Sequence, residues 1–374
     1  MMEFLYSLAL YSSKLVVTVA LILFGLITLL MAVKGLKSAK KDNEDKLKFT
    51  DLKKEFKERK QELEDAIFEA DSSKTEKEKK AFLKQKAKDE KKEPNKNEKA
   101  LKEKIEKAEK EGKFCPEKVF VIEFYGDPKA SSQDDFIKEI NAVLDVATAK
   151  DELILNLESP GGVVNGYGLL ASQLERVREK GIHLTVCVDN VAASGGYLMS
   201  CVANKIVAAP FSYVGSIGVV AQIPNFNKVL KNHDVDYELV TAGKYKRTLT
   251  MFGENTEEGR EKFRQELVMI HDRFKSIVAK YRPNMDVEQF ATGEFWLATD
   301  AKERGLVDQI DTFDAYLQKT VEFTKVCVIK ISIEHEEKKS FVDIIKKFFM
   351  AKTWTKAIKN EVQDTIIEQD TGRF

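Results

Sequence analysis

The rhythm of apolar and polar positions divides the chain into stretches of different character. Residues 15–33 carry no charge, are almost wholly apolar, and are bounded by Lys14 and Lys34. As a helix rising about 1.5 Å per residue, this run is long enough to cross a bilayer core of ~30 Å. A cleaved signal peptide is the rival reading. The run is longer than an ordinary leader core, however, and Lys34-Gly-Leu-Lys follows it instead of a small-residue cleavage site. A retained anchor over 1–37 is therefore expected. Residues 38–114 are dominated by Lys and Glu, with Leu52, Phe56, Leu63, Ile67 and Phe68 as a modest helical stripe. This composition predicts a solvated helical or partly disordered stalk. Lysines resting on anionic lipid headgroups are the alternative role for it.

From Cys115-Pro116 the pattern turns into alternating short apolar runs and helical stripes. Strands are predicted over 119–125, 153–157, 184–188 and 206–209, with further strands over 237–240 and 325–331. Ser132 with Asp135 reads as a capping box opening a helix that carries Phe136, Ile140 and Val143 inward. Helices follow over 166–180, 197–202, 226–232 and 257–281. The repeated strand–turn–helix order argues for an α/β fold with a mostly parallel sheet and its functional loops at the strand C-termini. Residues 341–358 are amphipathic and basic, and read equally as a packing helix or a membrane-surface helix. The resulting division is an anchor (1–37), a stalk or linker (38–114), a catalytic-type α/β domain (115–333) and an amphipathic helix with a polar tail (334–374).

Composition changes this picture little. A chain of 374 residues is too long for one ordinary core. A formal net charge of +0 gives no case for nucleic acid as a partner. Cys115, Cys187, Cys201 and Cys327 are scattered without a C-x-x-C pair, which fits small buried residues. No metal or cofactor is expected, because the chain has no P-loop, no H-E-x-x-H and no G-x-G-x-x-G after a strand. For orientation, Lys34, Lys37, Lys40 and Lys41 outnumber Lys14, which points to a cytoplasmic body.

The candidate chemistry centres on Val191-Ala-Ala-Ser194-Gly195-Gly196-Tyr197, between a buried strand and a helix. A serine at a helix N-terminus, with free amides beside it, is placed to act as an acyl-transfer nucleophile. The same residues also read as an N-cap with glycines for close packing. Ala192-x-Ser194-x-Gly196 approximates a nucleophile elbow but lacks its first glycine. His183, His233, His271 and His335 all lie away from glycine turns, so a Ser-His-Asp triad is not supported. A lysine acts as a base only if burial away from anions lowers its pKa. Lys244 and Lys246, after Thr241-Ala-Gly, are the candidates, with two solvated turn lysines as the alternative. The glycine amides of Ser159-Pro-Gly-Gly162 and the amide of Gly195 are able to approach a bound carbonyl.

Ser159-Pro-Gly-Gly, Val191-Ala-Ala-Ser-Gly-Gly-Tyr, Val214-Gly-Ser-Ile-Gly-Val, Ala242-Gly-Lys-Tyr-Lys and Gly293 through Gly305-Leu-Val-Asp occur in this order. Together they resemble the signal peptide peptidase A family of serine proteases (peptidase family S49). The anchor, the charged stalk and Lys246-Arg-Thr-Leu-Thr resemble its SohB inner-membrane branch. The resemblance implies a ClpP/crotonase-type α/β spiral and a Ser-Lys dyad, with Ser194 as nucleophile and Lys246 as general base. Lys244 is then a bystander. It further implies that Gly162 and Gly195 supply the oxyanion amides, and that Val214, Gly215, Ser216, Ile217 and Gly218 line the substrate cleft. Family members often have serine where this chain has Ala242, and Thr241 is the available substitute.

The implied protein is a single-pass protease of the bacterial inner membrane that forms a homo-oligomer. Its partners are peptide or protein substrates, such as signal-peptide remnants or misfolded segments, and the lipid bilayer. The resemblance points to a periplasmic catalytic domain and the lysine flank to a cytoplasmic one. The competing functions are a non-proteolytic membrane scaffold on the same fold, and acyl-CoA chemistry on a crotonase-like fold.

Overall fold

Strand β2 (Lys118–Tyr125) shows why the central strands read as unbroken apolar runs. Its alternate residues go to opposite faces. Val119 and Val121 join one buried cluster, while Phe120, Ile122 and Phe124 join another. The same split recurs in β3 (Glu152–Glu158), with Ile154 set against Leu153, Leu155 and Leu157. It recurs again in β4 (His183–Val188), with Cys187 set against Leu184, Val186 and Val188. Strands buried on both faces belong to a parallel sheet covered by helices on each side.

The structure is a computed structural model that describes residues 46–70 and 94–335. The expected anchor (1–37) and the amphipathic stretch at 341–358 lie outside these residues. No helix among the described residues is long and apolar enough to cross a membrane. Residues Leu47–Ile333 form one compact unit.

The main sheet has seven strands in the order β1-β10-β2-β3-β4-β6-β9. Here β1 is Lys46–Asp51, β6 is Lys205–Ala208, β9 is Gln309–Ile310 and β10 is Cys327–Glu334. Every pairing from β10 across to β9 is parallel. Helices α3 (Gln133–Val146) and α4 (Val164–Glu179) connect β2 to β3 and β3 to β4. Each crossover sets the next strand beside the last, and their apolar stripes fill the larger cluster. A second, three-stranded sheet has β7 (Tyr213–Gly215) between β5 (Val191–Ala193) and β8 (Phe295–Leu297). It is parallel to β5 and antiparallel to β8.

Three local expectations need correction. Part of the stretch read as a solvated stalk is built into the folded unit. β1 is an edge strand, and Leu52 and Phe56 of α1 (Leu52–Ala70) cover the second face of the sheet with Phe313 and Leu317 of α10 (Phe313–Phe323). Ile105 and Ala108 of α2 (Pro94–Lys110) pack on Cys115. The lysines and glutamates hid this, because only the apolar side of each helix is used. Ser132 is the N-cap of α3, but its φ of −85° and ψ of 12° depart from the extended backbone of a capping residue, and its side chain makes no capping bond. Residues 237–240 form no strand. Tyr237, Leu239 and Val240 are exposed, and an alternating run without a neighbouring strand has nothing to pair with.

Candidate active site

Ser194 stands at the junction of β5 and α5 (Gly195–Cys201) with φ 51° and ψ −118°. A non-glycine residue with positive φ is uncommon, and such strain costs about 1–3 kcal/mol. The surroundings impose it. The Ser194 amide donates to the Gly215 carbonyl at 2.8 Å, and the Leu198 amide donates to the Ser194 carbonyl at 2.9 Å. The sharp strand–turn–helix geometry of a nucleophile elbow is therefore present although its first glycine is replaced by Ala192, which is buried in register with Val214. Ser194 is the N-cap residue by position, but its hydroxyl makes no capping bond. Half-buried, it opens onto a cavity.

The Ser159-Pro-Gly-Gly turn is pressed against this junction. A Cβ on Gly161, whose φ is 84°, would lie 2.6 Å from the Gly195 amide nitrogen and 2.8 Å from the Ser194 Cβ. A Cβ on Gly162 would lie 2.2 Å from the Pro128 carbonyl oxygen, and one on Gly195 would lie 2.4 Å from the Tyr167 ring. Gly195 is the first residue of α5, so its amide has no intrahelical acceptor. Behind the turn runs a chain of hydrogen bonds. The Gly161 amide donates to Ser159 Oγ at 3.1 Å, and the Tyr167 hydroxyl donates to the Asp127 carbonyl at 2.9 Å. Ser159 Oγ and Tyr167 Oη are 2.6 Å apart. Tyrosine has one proton, and it points to Asp127, so Ser159 is the donor between them. Burial pushes the Tyr167 phenol above its ordinary range, so this brace stays protonated. The sequence marked the glycines of this turn but missed Ser159 and Tyr167 as the pair that holds them. A buried serine before Pro-Gly-Gly and a tyrosine one α4 turn inward were the available signal.

The cavity has a volume of about 390 Å³. Ser194, Gly195 and Gly162 form part of its wall, with Met269, Phe274 and Ile277 of α7 (Glu257–Tyr281). Of the residues expected to line a cleft, Gly218 does so. Val214 and Ile217 are fully buried in the core, Gly215 binds the Ser194 amide, and Ser216 (φ 55°) donates to the Glu294 carbonyl at 2.6 Å. The neighbouring Val219 and Val220 complete that wall.

No histidine is among the residues lining this cavity. Burial holds His183 down at about 4, assisted by Lys205 and Arg178, and it stacks on Phe114. His271 Nε2 lies 3.1 Å from the Ile217 carbonyl oxygen. Lys244 pairs with Glu258, which raises its pKa. Lys246 is exposed and its amide donates to the Gly243 carbonyl at 3.1 Å. It is not among the residues lining the Ser194 cavity. One chain thus brings Ser194, Gly162 and Gly195 together and leaves Lys246 outside. Residues 219–252, which carry it, include one short helix, α6 (Asn227–Asn232), and expose Val220 at 80% and Val240 at 91%.

Residues 3–174 match the model for the N-terminal part of peptidase family S49, and residues 176–326 match the model for peptidase family S49 itself. A probable protease SohB of Haemophilus influenzae is 50% identical over 243 residues, covering 65% of this chain and 66% of the relative. A probable protease SohB of Buchnera aphidicola from Acyrthosiphon pisum is 56% identical over 209 residues, covering 56% of this chain and 62% of the relative. Protease 4 of H. influenzae is 28% identical over 213 residues, covering 54% and 34%. The match to the two SohB relatives spans just under two thirds of their length. A ClpP1 mutant of Listeria monocytogenes superposes with a TM-score of 0.35 at 15% identity, covering 54% of this chain and 94% of that one, too low to carry an argument. With two S49 models meeting nearly end to end across most of the sequence, the chain belongs to peptidase family S49.

Proposed function

We propose that the protein is a membrane-anchored serine endopeptidase that hydrolyses peptide bonds through an acyl-enzyme on Ser194. The observation that carries this reading is the strained Ser194, whose hydroxyl is left free of capping and faces a peptide-sized cavity beside the Gly195 amide. Ser194 Oγ attacks the scissile carbonyl, and the amides of Gly162 and Gly195 hold the oxyanion. A base takes the serine proton and returns it to the leaving amine. Water then attacks the ester to release the second product.

Lys246 is the proposed base. Within one chain it lies outside the cavity, so the dyad forms when residues 219–252 rearrange or when a second copy delivers its own Lys246. The exposed apolar side chains of that arm favour the second route, since such surface is the kind that protein contacts cover. The side-by-side succession β2-β3-β4-β6 supports a ClpP/crotonase-type spiral, and the apolar run at 15–33 supports a single-pass inner-membrane anchor.

The experiment is peptide hydrolysis by the detergent-solubilised full chain beside Ser194→Ala, Lys246→Ala and Lys246→Arg. The expected result is loss of hydrolysis in all three folded variants, because a guanidinium does not act as a base. Mixing Ser194→Ala with Lys246→Ala restores partial activity if the dyad spans two copies. Wild-type rates in the variants, or failure of a fluorophosphonate to label Ser194, overturn the protease reading in favour of a scaffold.

A further inference from the structure

We propose that Arg273 is a specificity-determining residue of the Ser194 cavity and selects peptides that carry a carboxylate. The proposal rests on the reading of that cavity as the substrate site. Among the described residues, Arg273 is the one charged side chain lining it, and no carboxylate lines it. The rest of its wall is glycine, Ser194, Tyr167 and apolar side chains.

The other cations of α7 make the contrast. Arg260 pairs with Glu257 at 3.2 Å and Arg264 pairs with Glu261. Lys275 pairs with Asp272 at 3.2 Å and with Glu288 at 3.1 Å, and Lys280 pairs with Glu175 at 3.0 Å. Lys262 lies over the Tyr245 ring. Arg273 has no such partner among the described residues. Helical geometry brings together residues three and four apart. For Arg273 these are Met269, Ile270, Ser276 and Ile277, none of them acidic. The other cations of the helix thus each have a partner, whereas Arg273 presents an unpaired guanidinium at the mouth of an apolar cavity.

A guanidinium offers parallel N–H donors that match a carboxylate in bidentate fashion. Arg273 is itself exposed at this mouth, so solvent screens part of the attraction, and the absence of a competing partner is what leaves its donors available. A peptide whose apolar side chain rests on Met269, Phe274 and Ile277 therefore gains from a carboxylate within reach of Arg273. That carboxylate is either an Asp or Glu side chain or the peptide's own C-terminus.

Two matched pairs of fluorogenic peptides separate the sources. The first pair exchanges Glu for Gln position by position on an amidated peptide, and the second exchanges a C-terminal acid for its amide. The full-length protein is expected to favour the carboxylate member of at least one pair by roughly two- to fivefold in kcat/KM, mainly through KM, the scale of a solvent-exposed ion pair. Arg273→Gln brings that ratio close to one, Arg273→Lys keeps part of it, and Arg273→Glu reverses it toward Lys-containing peptides. Ratios near one in both pairs, or a ratio that Arg273→Gln leaves unchanged, overturn the proposal. Binding of the same labelled peptides to Ser194→Ala provides a readout without turnover. If wild type hydrolyses nothing while binding still depends on Arg273 and the carboxylate, the protease reading fails and the carboxylate site stands. If hydrolysis proceeds without regard to the carboxylate, the reverse holds.

Discussion

Replacing Gly161 by alanine tests how the nucleophile turn is held. Two effects add. Gly161 has φ 84°, and an L-residue in the left-handed region costs roughly 1–2 kcal/mol. The new Cβ would also meet the Gly195 nitrogen at 2.6 Å, the Ala193 oxygen at 2.8 Å and the Ser194 Cβ at 2.8 Å. All three belong to the backbone or base of the nucleophile turn, so no flexible side chain is able to swing away. Overpacking of this kind costs about 1–3 kcal/mol. The sum is roughly 2–5 kcal/mol, and at about 2–4 °C per kcal/mol in a domain of this size the unfolding temperature falls by roughly 4–20 °C.

Gly112 supplies the control. Its φ is 77°, but a Cβ there meets nothing within 4 Å, so Gly112→Ala carries the backbone strain alone, about 1–2 kcal/mol. Thermal unfolding of the two variants therefore isolates the contact. Peptide hydrolysis at a temperature where both are folded isolates its consequence for the site. Displacing the Gly195 amide from a developing oxyanion costs on the order of 10²-fold in kcat, whereas Gly112→Ala turns over as wild type does. Equal destabilisation by the two substitutions, with normal hydrolysis by Gly161→Ala, would refute the idea that Gly161 sets the position of Ser194 and Gly195.

Three further outcomes follow from the same contacts. Tyr167→Phe removes the donor to the Asp127 carbonyl and leaves Ser159 Oγ without its acceptor, so it destabilises by about 1–3 kcal/mol in urea unfolding and lowers kcat more than it raises KM. Arg282, 9% exposed, holds both oxygens of Asp308 at 2.7 and 2.9 Å and the Gly305 carbonyl at 3.0 Å, and Arg282→Ala costs about 2–4 kcal/mol by the same assay because Asp308 keeps some access to water. Burial, with Asp135 and Glu123 nearby and despite the opposing Ile333 amide, raises the Glu139 carboxyl to about 7. A carboxyl raised on folding contributes its stability below the unfolded value near 4.5 and loses it as pH rises through about 7. Wild type should therefore lose about 2 kcal/mol relative to Glu139→Gln across that window, allowing for solvent screening, and parallel pH–stability curves for the two would contradict this.

The fold was legible where one periodicity dominated. The central strands and the long helix α7 stood out because a strand buried on both faces or a long apolar stripe has few alternative readings. The part played by Leu52, Phe56, Ile105 and Ala108 was not legible. Leu52 and Phe56 belong to a visible stripe and Ile105 and Ala108 stand among lysines and glutamates, but only the assembled sheet face and the Cys115 contact show what they cover. The strand expected at 237–240 failed for the converse reason. The local alternation is real, but β-structure needs a partner that sequence spacing does not supply.

The candidate site divides along the same line. Its serine half could be read from sequence because strand, small residues and helix are contiguous, and because close backbone approach leaves glycine as the residue that fits at 161, 162 and 195. The Ser159–Tyr167–Asp127 brace and Arg273 were missed because neither is a motif. One depends on a tyrosine meeting a serine 8 residues away and a backbone carbonyl 40 residues away behind a turn, and the other on the absence of an acidic residue three or four positions away along a helix otherwise rich in ion pairs. The lysine half differs again. Lys246 sits on an arm that keeps large apolar side chains in solvent, outside the cavity that Ser194 lines. A rigid serine half and an uncommitted lysine half are what one would expect if the sequence encodes the nucleophile within a chain and completes the dyad only when that exposed arm finds a surface to cover.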